Sequence, residues 1–203
     1  MRTREPGLQA RRDRNDLLTG VIVGALAIGF LLFRGVNAVV SLFAAPGAIT
    51  VESPLPAQEV TTRLGNGATA TITSGTLVVA DVSTISVVSL VVAIILSTIG
   101  LVAAAALGVA TCIRLLRGHV FDQVNVRLLF ALSMSLLLAW VGDVWFRNMG
   151  LNGVFAALGD EFRGQTALNL DGVSLFVAAI AVGVLVIVFR RGAALQRETE
   201  GLV

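Results

Sequence analysis

Arg34 and Asp143 are ionisable residues set inside otherwise apolar stretches of this sequence. Arg34 follows Asp16 by 18 residues, about 27 Å of helix at 1.5 Å per residue. Asp143 follows Arg127 by 16 residues, about 24 Å by the same rise. If both stretches cross a bilayer, the two charges reach similar depth near the outer edge of the hydrocarbon. An ionisable residue at that depth usually turns to the bundle interior and finds a partner. The expectation is an Arg34–Asp143 ion pair joining the first and third helices, with Asn37 one turn above. Such a pair could be a gate or proton-coupled element, or a structural clasp. Separate snorkelling of each residue to the outer surface is the third option.

Other chemistry is sparse. His119 is the single histidine, and the chain has no tyrosine and, by its fifteen arginines, no lysine. Several common general acids and bases are therefore missing. No H-E-x-x-H, G-x-S-x-G, P-loop or metal-ligand cluster is present, so no catalytic residue, metal or cofactor is expected. Cys112 is the single cysteine, which excludes an intramolecular disulfide. Its place near the end of an apolar run reads as a small apolar thiol.

Two short segments repeat a pattern. Arg117-Gly118-His119-Val120-Phe121 and Arg191-Gly192-Ala193-Ala194-Leu195 both read R-G-x-x-apolar. Gly just past a helix end serves as a C-cap, and Arg there complements the helix dipole. The repetition fits two related helical hairpins or a chance match. His119 could titrate near neutral pH or be an ordinary surface residue.

The elements that position these residues are apolar helices. The 32 residues between Asp81 and Arg114 include no charged side chain, against roughly 20 needed to cross a bilayer. Four such runs are approximately Leu17–Phe43, Val87–Ile113, Leu128–Phe146 and Val173–Phe189. The first run exceeds the roughly 7–15 residue apolar stretch of a secretory signal peptide. Hydrophobic residues make up 56% of the chain, which leaves no room for a soluble domain of ordinary size. The fold class expected is an all-α membrane protein, a four-helix bundle over residues 1–203 as a single integral domain.

With four spans, both termini and the link Arg114–Arg127 share one side. That side holds eleven arginines against six acids, while Arg63, Arg147 and Arg163 lie opposite. Positive residues stay cytoplasmic, so both termini are expected inside, in the plasma membrane. Membrane orientation accounts for these arginines better than nucleic acid does, so no direct nucleic-acid binding is expected. Outer loop 44–84 carries β-branched and alternating segments around Gly65-Asn66-Gly67, a hairpin turn signal. It reads as a small β-rich cap, either a plain cover or a ligand sensor. In outer loop 147–171, Val154–Phe162 reads as a short amphipathic helix lying at the interface. Trp140 and Trp145 fit an aromatic belt. Gly20 with Gly24, Gly100 with Ala104 and Gly108, and Ala179 with Gly183 mark close helix contacts. A homo-oligomer is compatible with the same pattern.

Gly118, Phe121, Asn125 and Arg127 resemble the cytoplasmic turn of domain-of-unknown-function family 2975. Those are bacterial four-helix membrane proteins whose turn runs roughly G-x-P-F-x-x-x-N-x-R. The tail Phe189-Arg190-Arg191-Gly192 with Leu195, Glu198, Glu200 and Val203 is similar to that family's closing R-G-x-x-L, acidic pair and terminal Val. Val120 stands where the family has Pro, which leaves the turn's stiffness open. The family has no established activity, but its members are often encoded beside a small helix-turn-helix regulator. The resemblance implies an accessory or sensory protein whose cytoplasmic segments hold or release that partner. Arg117, Gly118, Phe121, Asn125 and Arg127 would form one contact, and Arg191, Gly192 and Leu195 the other. A small transporter or channel subunit working as an oligomer is the alternative.

Overall fold

The structure, a computed structural model, describes residues 6–54, 60–63, 69–72, 74–159, 170 and 172–200. The element order is α1 (Pro6–Leu42), β1 (Ala48–Pro54), β2 (Val60–Arg63), β3 (Thr69–Ile72), β4 (Ser74–Ala80), α2 (Thr84–Leu116), α3 (Gln123–Ala157) and α4 (Val173–Glu200). Among the described residues, four stretches are helical, long and apolar enough to cross a membrane: Arg14–Leu42, Thr84–Leu116, Gln123–Ala157 and Val173–Leu195. Their mean hydropathies of 1.8–2.7 explain why they hold together as helices. In an apolar solvent a helix satisfies every backbone polar group within itself.

Two compact units divide these helices along their lengths. One, the turn unit, takes the chain up to Phe33, Ser97–Trp140 and everything from Gly172 onward. The other, the ribbon unit, takes Arg34–Leu96 and Val141–Asp171.

In the turn unit, small residues let the helices approach. A Cβ on Gly24 would lie 2.4 Å from Val109 Cγ2, so α1 and α2 meet there at backbone distance. Gly20 faces Cys112 one turn away. A Cβ on Gly100 would come 2.7 Å from that of Ala139, which joins α2 to α3. Buried Ser133 donates its hydroxyl to the Ala179 carbonyl of α4 at 2.8 Å. The small-residue pairs expected from the sequence are therefore helix contacts within one chain. Trp140 stacks on Phe176 with ring centres 4.9 Å apart.

In the ribbon unit, β1 and β4 pair antiparallel, with Ile49 opposite Val79, Val51 opposite Leu77 and Ser53 opposite Gly75. Period-two alternation turns Ile49, Val51, Ser53 and Val79 inward and leaves Glu52 and Val78 exposed. Their buried apolar face packs on Leu42, Leu90, Leu151, Val154 and Phe155. β2 pairs antiparallel with β3 as a second two-stranded sheet. The expected β-rich insertion is present, and its Gly65–Gly67 turn lies outside the described residues.

Ser83 caps α2 by accepting the Ser86 N–H at 3.4 Å. α3 does not stop at Phe146 but continues to Ala157. The expected separate helix at 154–162 is thereby corrected. Val154 and Phe155 are 0% and 1% exposed in the core of the ribbon unit, not laid along an interface. A carboxylate one turn below Arg147 satisfies that arginine on the helix itself, so the charge gives α3 no reason to end there. Phe162 lies outside the described residues. α4 likewise runs through Arg191-Gly192 to Glu200, so Gly192 is not a C-cap.

Candidate functional site

The α2–α3 turn gathers more specific polar geometry than any other described part of the chain. α2 ends in a Schellman motif: the His119 N–H reaches the Arg114 carbonyl at 3.1 Å and the Gly118 N–H reaches that of Leu115 at 3.0 Å. This needs a left-handed residue at position 118, and Gly118 takes φ 84° at no steric cost. Four residues later Asp122 caps α3, its carboxylate accepting the Val124 N–H at 3.3 Å.

Arg114 ties the two caps together. Its guanidinium forms an ion pair with Asp122 and donates from Nε to Asn125 Oδ1 at 2.9 Å. The Asn125 amide then donates to the carbonyls of His119 and Val120 at 2.5 and 3.0 Å. Asn125 is fully buried, so these bonds use its acceptor and its amide donors in a place where a loose polar group would be costly. The Val124 N–H, and then Arg114, hold the Asp122 carboxyl below its usual range, against a smaller opposing effect of burial.

The apolar residues of the turn divide in two. The Phe121 ring packs 5.6 Å from Phe189, and a Cβ on Gly192 would fall 2.5 Å from it. Gly192 thus makes room for an aromatic ring, which is why a glycine stands inside a continuing helix. Val120, Phe121 and Val124 remain 40–44% exposed. Arg117, His119, Arg127, Arg190, Arg191 and Leu195 are exposed as well.

The expected residues therefore take unequal parts. Gly118 is a cap and Gly192 a packing site, so the two arginine-glycine segments are structurally unlike, against the idea of two related hairpins. Asn125 was expected to touch a partner; it is buried and committed to the turn's own groups. Arg117, Phe121 and Arg127 are available at the surface. Arg114 and Asp122 escaped the sequence reading. An acid directly before Gln123-Val124-Asn125 is an N-cap signal that could have found Asp122.

The expected Arg34–Asp143 pair is not formed. Asp143 accepts two hydrogen bonds from Arg147, at 2.7 and 3.0 Å. That partner lies four residues on along the same helix and meets the carboxylate with both ends of its fork. Arg34 is exposed and makes no ion pair among the described residues.

An open cleft of about 430 Å³ lies in the ribbon unit, lined by Phe43, Pro46, Ile49, Val79, Val82 and Asp81 among others. Asp81 is its one charged lining residue, so the cleft lacks the convergent polar groups that would orient a ligand. Among the described residues, no three or more His, Cys, Asp or Glu residues gather to hold a metal. Comparison of the chain with models of known protein families, with curated proteins and with solved structures gives no match.

Proposed function

We infer that the chain is a non-enzymatic, multi-pass accessory protein of the plasma membrane that presents the α2–α3 turn to a cytoplasmic partner. The observation that carries this reading is the turn itself. Two helix caps and a buried asparagine fix its backbone, while Val120, Phe121, Val124, Arg117 and Arg127 stay exposed. A fixed backbone beneath exposed apolar and arginine side chains lowers the ordering cost of docking. The arginine asymmetry supports placing this turn, and both termini, in the cytoplasm. The likeness of Gly118, Phe121, Asn125 and Arg127 to family 2975 favours a small helix-turn-helix regulator as the partner.

Transport is the weaker reading. Ser89, Thr111 and Ser135 each bond a carbonyl four residues back on their own helix, which leaves them poorly placed to line a polar path. Crosslinking and pull-down of the tagged full chain at native expression tests the proposal. A small DNA-binding protein should be recovered, and Val120→Asp with Arg117→Gln, both exposed positions, should lose it while the protein stays folded. Recovery of the chain alone, together with ion flux in vesicles, would replace the proposal with the transporter reading.

A further inference from the structure

Arg34 is an unusual residue for the place it occupies. None of the most apolar 18-residue stretch of α1 is buried, and its large side chains, among them Phe30, Phe33, Val36 and Val40, are 62–67% exposed. In a bilayer such a surface faces lipid tails. Arg34, Asn37 and Ser41 interrupt it, and all three are exposed. Their spacing of i, i+3 and i+7 puts them in one stripe on one face of the helix.

The stripe has no counter-ion from its own unit among the described residues. Asp143 is occupied by Arg147, and the remaining described carboxylates there, Glu52 and Asp81, form no ion pair with Arg34. A cation on an exposed apolar helix face, with no counter-ion among the described residues, is a site for an anion. Depth suggests which one. Counting from Leu17, Arg34 lies about 26 Å along the helix, Asn37 about 30 Å and Ser41 about 36 Å. A hydrocarbon core is about 30 Å thick, and the headgroup layers extend it to about 40–45 Å. The stripe therefore begins at the last of the tails and runs through the layer of ester and phosphate oxygens.

We propose that Arg34, Asn37 and Ser41 form a binding site for the phosphate headgroup of a phospholipid in the outer leaflet. The guanidinium is a planar fork that matches two phosphate oxygens, and this pairing is stronger than a neutral hydrogen bond. Asn37 and Ser41, one and two turns nearer the surface, donate to further headgroup oxygens. The flanking Phe33, Val36 and Val40 lie along the acyl chains. A second copy of α1 is a poorer occupant, because it would set an identical arginine against this one. The proposal rests on the bilayer reading but not on any partner at the α2–α3 turn.

The full chain is reconstituted in vesicles of equal parts phosphatidylglycerol and a galactosyl diacylglycerol, which lacks phosphate. Resistance to alkaline extraction first confirms insertion, so a protein that washes off would sink the bilayer reading itself. Detergent release and native mass spectrometry then count the lipids that stay bound. Wild type should retain phosphatidylglycerol selectively, and Arg34→Gln about tenfold less, the scale of one charge-assisted hydrogen bond. Asn37→Ala should lose part of the selectivity, which keeps a reading available if the arginine variant folds poorly. Equal retention of phosphatidylglycerol by wild type and both variants would overturn the site. So would an oligomer, or a bound acidic membrane protein, that dissociates when Arg34 is changed.

Discussion

Arg114 shows how one side chain can decide the shape of a turn. It reaches forward to Asp122 and Asn125 at once, so the end of α2 and the start of α3 share a single cation. Asn125→Leu would strand the Arg114 Nε and two carbonyls while filling the same space. The expected cost is about 1–3 kcal/mol, read as a lower thermal midpoint in detergent and faster hydrogen exchange at residues 119–126. Asp122 adds a pH dependence of definite sign. Its folded pKa is lowered from 3.8, chiefly by the Val124 N–H and then by Arg114. Its stabilisation is thus fully present above the ordinary carboxylate range and is lost as pH falls through the lowered value. Protection of the turn's amides, taken relative to the intrinsic exchange rate at each pH, should be independent of this carboxylate near neutrality and fall in acid, and Asp122→Asn should remove that acid step. The sequence made Gly118 visible through its place just after an apolar run and an arginine. It could not show that Asn125 points inward, because burial depends on where His119 and Val120 turn their carbonyls.

At the level of elements, the alternation in residues 48–51 and 76–82 was enough to place the strands. The register came only with the structure, which sets Val51 opposite Leu77 and closes the apolar face over Phe155. Phe155→Ala should cost about 3–5 kcal/mol, since the ring is fully enclosed and the strands above it cannot collapse freely into the space. Protease sensitivity of the β1–β4 ribbon, compared between variant and wild type, would measure it. An unchanged ribbon would mean that the strands do not depend on this core. Helix ends were the poorer part of the reading. Arg147 looked like a membrane boundary because a bare charge stops an apolar run, yet paired with Asp143 it lets α3 continue for two more turns and more. Opposite charges at matching depth on two helices suggested a clasp. The nearer partner on the same helix won because it needs no reach between helices.

For the whole molecule, the proposed topology follows from four helices long and apolar enough to cross a membrane: if all four cross, both termini and the α2–α3 turn share one side. Single cysteines introduced into a Cys112→Ala background test this directly. His119→Cys and Arg191→Cys should react with an impermeant maleimide only after cells are opened, and Gly47→Cys in intact cells. Labelling of positions 47 and 119 from the same side would break the four-span topology. The apolar runs made the four long helices legible, whereas which glycines cap and which admit a neighbour depended on contacts distant in sequence. Gly192 is a case with a mechanical result. Sliding α4 by one turn, about 5.4 Å, would bring Val188 or Gln196 to the place where the Phe121 ring now fits. Neither is small enough to receive it, so the ring works as a pawl and α4 is held in one axial register.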